Sequence, residues 1–134
     1  MNTIGQTNAI STRGGVGPNG YFYTGETVSG IKERLDKIDM QKAHTRLPYM
    51  MDGKLVLPTK TKGQAPDGAE DLPVNMGALK NIVDHFVKKY PKHASKEFGF
   101  VTGGFSPPGY VQVTARNSGL GIYYNQATGE PMGK

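Results

Sequence analysis

The 134-residue chain contains no cysteine and no tryptophan. Without cysteine there are no disulfides and no thiolate metal ligands, so neither a disulfide scaffold nor a cysteine-based zinc site is available. No apolar run approaches the roughly 18 residues of a membrane-spanning helix. The N-terminus also lacks the basic stretch and apolar segment of a secretory signal. A soluble or particle-bound protein without a membrane partner is expected. Apolar residues make up only 36% of the chain, whereas glycine occurs 19 times and proline 9 times. Such a chain loses much backbone entropy for little buried surface, which predicts partly extended segments completed by partners.

Glycine is concentrated early. The stretch RGGVGPNGYFYTG, residues 13 to 25, contains a complete G-x-G-x-x-G in Gly15, Gly17 and Gly20. As a phosphate cradle this pattern needs a strand before it and a helix after it, so that backbone amides face the pyrophosphate. The preceding residues are polar and short of any buried-strand run, the following YFYTGETV is β-prone, and Pro18 removes an amide. The strand lysine and the aspartates of a protein kinase are not recognisable either. Residues 1–26 are therefore read as a glycine-rich arm.

Residues 27–46 carry Val28, Ile31, Leu35 and Ile38 at spacings of three, four and three, the a/d seam of a coiled coil. Thr27 is placed to cap this helix. These four residues are the expected oligomerisation surface. Residues 47–74 form a proline-rich connector, broken at Pro48, Pro58, Pro66 and Pro73. Within it, Asp52-Gly53 is a favoured hairpin turn between Tyr49-Met50-Met51 and Lys54-Leu55-Val56-Leu57. Residues 75–134 begin with an amphipathic helix capped by Asn75 and stopped by Pro91. Leu79, Ile82, Val83, Phe86 and Val87 form its apolar stripe and are expected in core or interface packing. The period then changes to short β-prone runs divided by glycine and proline, including Val111, Val113 and Ala115 alternating with Gln112 and Thr114. Pairing of 110–115 with 120–124 through Arg116-Asn117-Ser118-Gly119 is the expected hairpin. The class that results is α+β: a short coiled-coil-like helix, a proline-rich connector, one amphipathic helix and a small C-terminal antiparallel region.

The net charge is +5, and its excess sits on the two helical segments. The first carries Lys32, Arg34, Lys37, Lys42 and Arg46 with Glu33, Asp36 and Asp39 interspersed; the second carries Lys80, Lys88, Lys89, Lys92 and Lys96 with Asp84 and Glu97. Mixed signs favour solvated helix faces over a stripe that tracks phosphates. Tyr21, Phe22, Tyr23, Tyr110, Tyr123 and Tyr124 lie in β-prone stretches, where ordinary burial is favoured over stacking on bases or sugars.

Catalytic chemistry finds no convergent set. His44, His85 and His93 are too dispersed for a local metal site, and Asp84 beside His85 points in a different direction on a helix. Ser106, in GFSPPG, lacks the G-x-S-x-G elbow. No catalytic residue, cofactor or metal is expected.

The segment APDGAEDLPVNMGALKNIVD resembles one common in bacteriophage tail fibres and related virion appendages, through Pro66, Asp71, Val74, Asn75, Lys80, Val83 and Asp84. The resemblance implies a fibrous, commonly trimeric part of the virion. The expected function is a structural component of the particle, such as a fibre, collar or capsid-associated protein. It would act by self-association and by binding other virion proteins. A small basic nucleic-acid-binding protein is the alternative.

Overall fold

The computed structural model describes residues 21–60, 65–101 and 106–133. The Gly15, Gly17 and Gly20 pattern lies outside them, as does most of the expected arm. Residues 21–26 of that arm belong instead to strand β1, Tyr21–Thr27, whose aromatic residues alternate between two faces. Thr27 ends the strand and caps helix α1, Val28–Asp36, its side chain accepting the Gly30 amide at 2.9 Å. The continuous helix expected over 27–46 is corrected here. Lys37 and Ile38 close tight turns onto Arg34 and Leu35, and Asp39, in an extended conformation, caps a separate turn α2, Met40–Ala43. An aspartate that satisfies the Gln41 amide offers the backbone an alternative to continuing the helix.

The connector contains the expected hairpin. Strands β2, Tyr49–Met51, and β3, Lys54–Val56, pair across Asp52 and Gly53, both at positive φ. Strand β4, Glu70–Asp71, joins the other side of β2 and makes a three-stranded sheet ordered β3-β2-β4. Helix α3, Met76–Lys89, starts where the Asn75 side chain accepts the Ala78 amide at 2.7 Å, and gives way to a 3-10 turn at Pro91–His93. Strands β5, Glu97–Val101, β6, Tyr110–Ala115, and β7, Ile122–Asn125, then form an antiparallel sheet with β1, in the order β1-β5-β6-β7. Its first strand thus comes from before the helices. The β6–β7 hairpin pairs Tyr110 with Asn125 and Val113 with Ile122.

The helices lie against the inner face of this sheet. Val28, Ile31 and Leu35 have no exposed surface, and Ile38 packs against the same cluster. The stripe expected to meet other chains is therefore consumed within one chain. Two heptads supply too little seam for a coiled coil, but they suffice to cover one side of α3. Leu79, Ile82, Val83 and Phe86 are fully buried and Val87 partly so, meeting Phe98, Phe100, Val113, Ala115 and Tyr124 from the sheet. Each fully buried aliphatic or phenyl side chain contributes about 1.5–3 kcal/mol by leaving water.

Polar ties fix the helices in place. Lys32 and Lys80 each bridge Asp36 and Asp84 at 2.9–3.1 Å, closing a four-charge ring between α1 and α3. Hydrogen bonds from Lys80, then Lys32, hold the Asp36 carboxyl below the usual carboxylate range. Arg34 pairs with Glu26 and donates to the Leu55 carbonyl, joining α1 to β1 and β3. The C-terminal turn docks on α3 through Asn81, which donates to the Thr128 carbonyl at 2.8 Å, and Asn75, which donates to Ala127. Gly129, at φ +76°, sits against the Ala78 carbonyl where no side chain fits.

Two outcomes are expected. Leu35→Ala should lower stability by about 2–5 kcal/mol in urea denaturation. Its solution mass should equal that of the wild type, whereas dissociation of a wild-type oligomer would place the stripe between chains. Because the Asp36 carboxyl is lowered on folding, its ion pairs stabilise above its unfolded value of about pH 4 and are lost as pH falls through the folded value. Asp36→Asn should therefore flatten the acid loss of stability below that pH; an unchanged acid limb would show that the ring carries no such linkage.

Candidate functional site on the outer face of the sheet

Strand alternation decides which side chains leave the core. With Phe22, Phe98, Phe100, Val111 and Val113 turned inward, the register places Tyr21, Val101, Gln112 and Tyr123 in one row across the outer face. The next row holds Tyr23, Gly99 and Thr114. Glycine is required at position 99 by a close approach. The Tyr23 ring lies across it, and a Cβ there would stand 2.6 Å from the ring carbon Cδ1.

The ring of Tyr23 is held on several sides. Tyr21 stacks on it at 5.6 Å between centroids and 27° between planes, and the Arg116 guanidinium lies 3.9 Å from its centroid. Arg116 is itself fixed by Glu97, whose Oε1 accepts from Nε at 2.8 Å. The other oxygen of Glu97 accepts the Gly25 amide at 2.7 Å, at the irregular step in the β1–β5 pairing. One carboxylate thereby joins the edge strand to the end of β6. Burial raises the Tyr23 hydroxyl above its usual range, with Arg116 opposing and Tyr21 and Glu97 adding, so it stays protonated near neutral pH. Tyr23 is buried, but Tyr21 remains 46% exposed. The arrangement is an open aromatic surface backed by a braced cation, able to accept a second flat ring.

Two cations stand at the end of the sheet where β5 begins and β6 stops. Lys96 directly precedes β5 and Arg116 directly follows β6. Lys88 and Lys89 close α3, and Lys92 lies in the 3-10 turn. Lys88, Lys89, Lys92 and Lys96 have no ion pair among the described residues, in contrast to Lys32, Arg34 and Lys80.

The residues that the sequence marks for association, Val28, Ile31, Leu35 and Ile38, are brought together with Leu79, Ile82, Val83, Phe86 and Val87, but in the core and remote from the outer face. Asp84 and His85 diverge as their adjacency requires: Asp84 turns to the lysines, while His85 Nδ1 lies 2.8 Å from the Tyr124 hydroxyl. Among the described residues, no cluster of three or more histidine and acidic side chains is placed to hold a metal. Glu97 and Arg116 were not legible as a pair, since one reads as the tail of a helix charge pattern and the other as a turn residue. Tyr21 and Tyr23 carried the available signal, aromatic residues at strand spacing.

No family model matches the chain, and no curated protein or solved structure matches it. No helix among the described residues is long and apolar enough to cross a membrane.

Gly99→Ala should displace the Tyr23 ring and cost about 1–3 kcal/mol through overpacking. The displacement should appear as a loss of the ring-current shift on the Arg116 side-chain protons. Unaltered shifts together with unaltered stability would rule out the close approach.

Proposed function

We propose that the protein binds single-stranded nucleic acid across the outer face of its four-stranded sheet. The observation that carries this reading is the exposed Tyr21 ring, stacked on a Tyr23 ring that Arg116 and Glu97 hold in place. A base that stacks on a ring already braced orders little additional side chain, so more of the stacking energy appears as affinity. Lys88, Lys92 and Lys96, which have no ion pair among the described residues, supply charge for the phosphates. Single strands suit this surface because a flat sheet offers rings to unpaired bases and inserts no helix into a groove.

A second reading, a structural component of a bacteriophage virion that binds other virion proteins, rests on the resemblance over residues 66–84. Of those positions Asp71 lies in β4, Asn75 caps α3, and Lys80, Val83 and Asp84 lie within α3, with Val74 and Val83 buried and Lys80 and Asp84 in the charge ring. In that reading any self-association uses a surface other than the α1 stripe. A stable trimer in light scattering of the nucleic-acid-free protein favours it.

Tyr21→Ala should weaken binding of a short single-stranded oligonucleotide by about 1–3 kcal/mol in fluorescence anisotropy. The wild-type affinity should fall with added salt at a slope of roughly −0.7 per phosphate contacted. Affinity that ignores both the substitution and the salt would eliminate the nucleic-acid reading.

A further inference from the structure

The opposite edge of the sheet holds a separate feature. Between the C-terminal half of α3 and β7 lies a cleft of about 350 Å³, lined among others by His85, Lys89, Tyr90, Ile122, Tyr123 and Met132. Strands β5 and β6 separate it from β1 and the Tyr21–Tyr23 stack. Its volume is that of a small-molecule site.

The lining divides into two chemistries. Lys89 brings an ammonium group with no ion pair among the described residues. His85 stands one helical turn before it, with Nδ1 hydrogen-bonded to the hydroxyl of the fully buried Tyr124 and its ring edge-on to that residue at 5.4 Å. The imidazole is thereby oriented, and Nε2 is the nitrogen left for a ligand. Burial, then Lys89 and Lys88, hold the His85 pKa below its ordinary value, so the charge that meets an anion comes from Lys89 and the imidazole offers a neutral hydrogen-bonding group beside it. The other walls are apolar. Ile122 belongs to β7, and Met132, 46% exposed, is carried on a segment fixed by the Tyr124–Pro131 bridge and by the Met132 amide donating to the Tyr123 carbonyl at 2.9 Å. An exposed thioether on a fixed wall is well suited to lie against an aromatic ring.

We propose that this cleft binds a small aromatic acid, a flat ring bearing one phosphate or carboxylate. The ring lies against Met132, Ile122 and Tyr90, and the acid group meets Lys89 and His85. The site lies at the β7 edge, away from the Tyr21–Tyr23 stack, and does not depend on that stack; Tyr123 is the outer-face residue that also lines the cleft.

The test is NMR titration of the full chain, observing the His85 imidazole and the Met132 methyl. Adenosine 5′-monophosphate and benzoate offer a ring with a phosphate or a carboxylate; adenosine offers the ring alone and inorganic phosphate the anion alone. At least one ring-bearing acid should shift both reporters, binding roughly tenfold or more tightly than either half, as expected for a charge-assisted hydrogen bond added to ring burial. Lys89→Ala should weaken that binding by a similar factor, and Met132→Ser should weaken it too. Tyr21→Ala should leave it unchanged, which separates this site from the sheet face. Both substituted residues in the cleft are partly or fully exposed, so these variants keep the fold. Absence of shifts with both acids at millimolar concentration, neither acid binding more tightly than adenosine and inorganic phosphate, or an unaffected Lys89→Ala variant would overturn the proposal.

Discussion

The packing of α1 on α3 is the contact on which the rest of the molecule depends. Val28, Ile31 and Leu35 meet the apolar stripe of α3, and that stripe shares one core with the inner residues of the sheet. A chain with so little apolar content has few other ways to assemble a core. The ring of Lys32, Asp36, Lys80 and Asp84 closes over this contact and fixes how the two helices lie across each other.

With the helices packed on it, the sheet has one buried face and one outer face, and the candidate site lies on the outer one. Register then selects which residues appear there. The pairing of Tyr23 with Gly99 lets an aromatic ring lie flat on the sheet, and Glu97 reaches both β1 and Arg116 because it stands at the irregular step between those strands. At the other edge, β7 carries Tyr124 inward to orient His85, so a residue of the core sets the geometry of a surface cleft. The same fold divides the charge. Lys32, Arg34 and Lys80 hold elements together, while Lys88, Lys89, Lys92 and Lys96 have no ion pair among the described residues.

Local signals read well where the interactions are local. The Thr27 and Asn75 caps, the Asp52-Gly53 turn, the stop at Pro91 and the β6–β7 hairpin each depend on residues a few positions apart, and each was legible. The fate of the α1 stripe was not, because a hydrophobic period states that a face is buried without naming what covers it. The candidate site was less legible: Tyr21 and Tyr23 were two of six aromatic residues in β-prone stretches for which ordinary burial was favoured, and nothing local marked Glu97, Arg116 or the His85–Tyr124 pair.

The sequence by itself determined the α+β class, the caps and turns, and which helix faces had to leave water, since backbone hydrogen bonding and side-chain period act over a few residues. Only the tertiary structure decided that the first stripe is spent inside the chain, that β1 joins strands some 75 residues downstream, and that Arg116 lies over Tyr23. Those outcomes depend on strand register and helix docking, in which residues distant in the chain compete for the same buried surface.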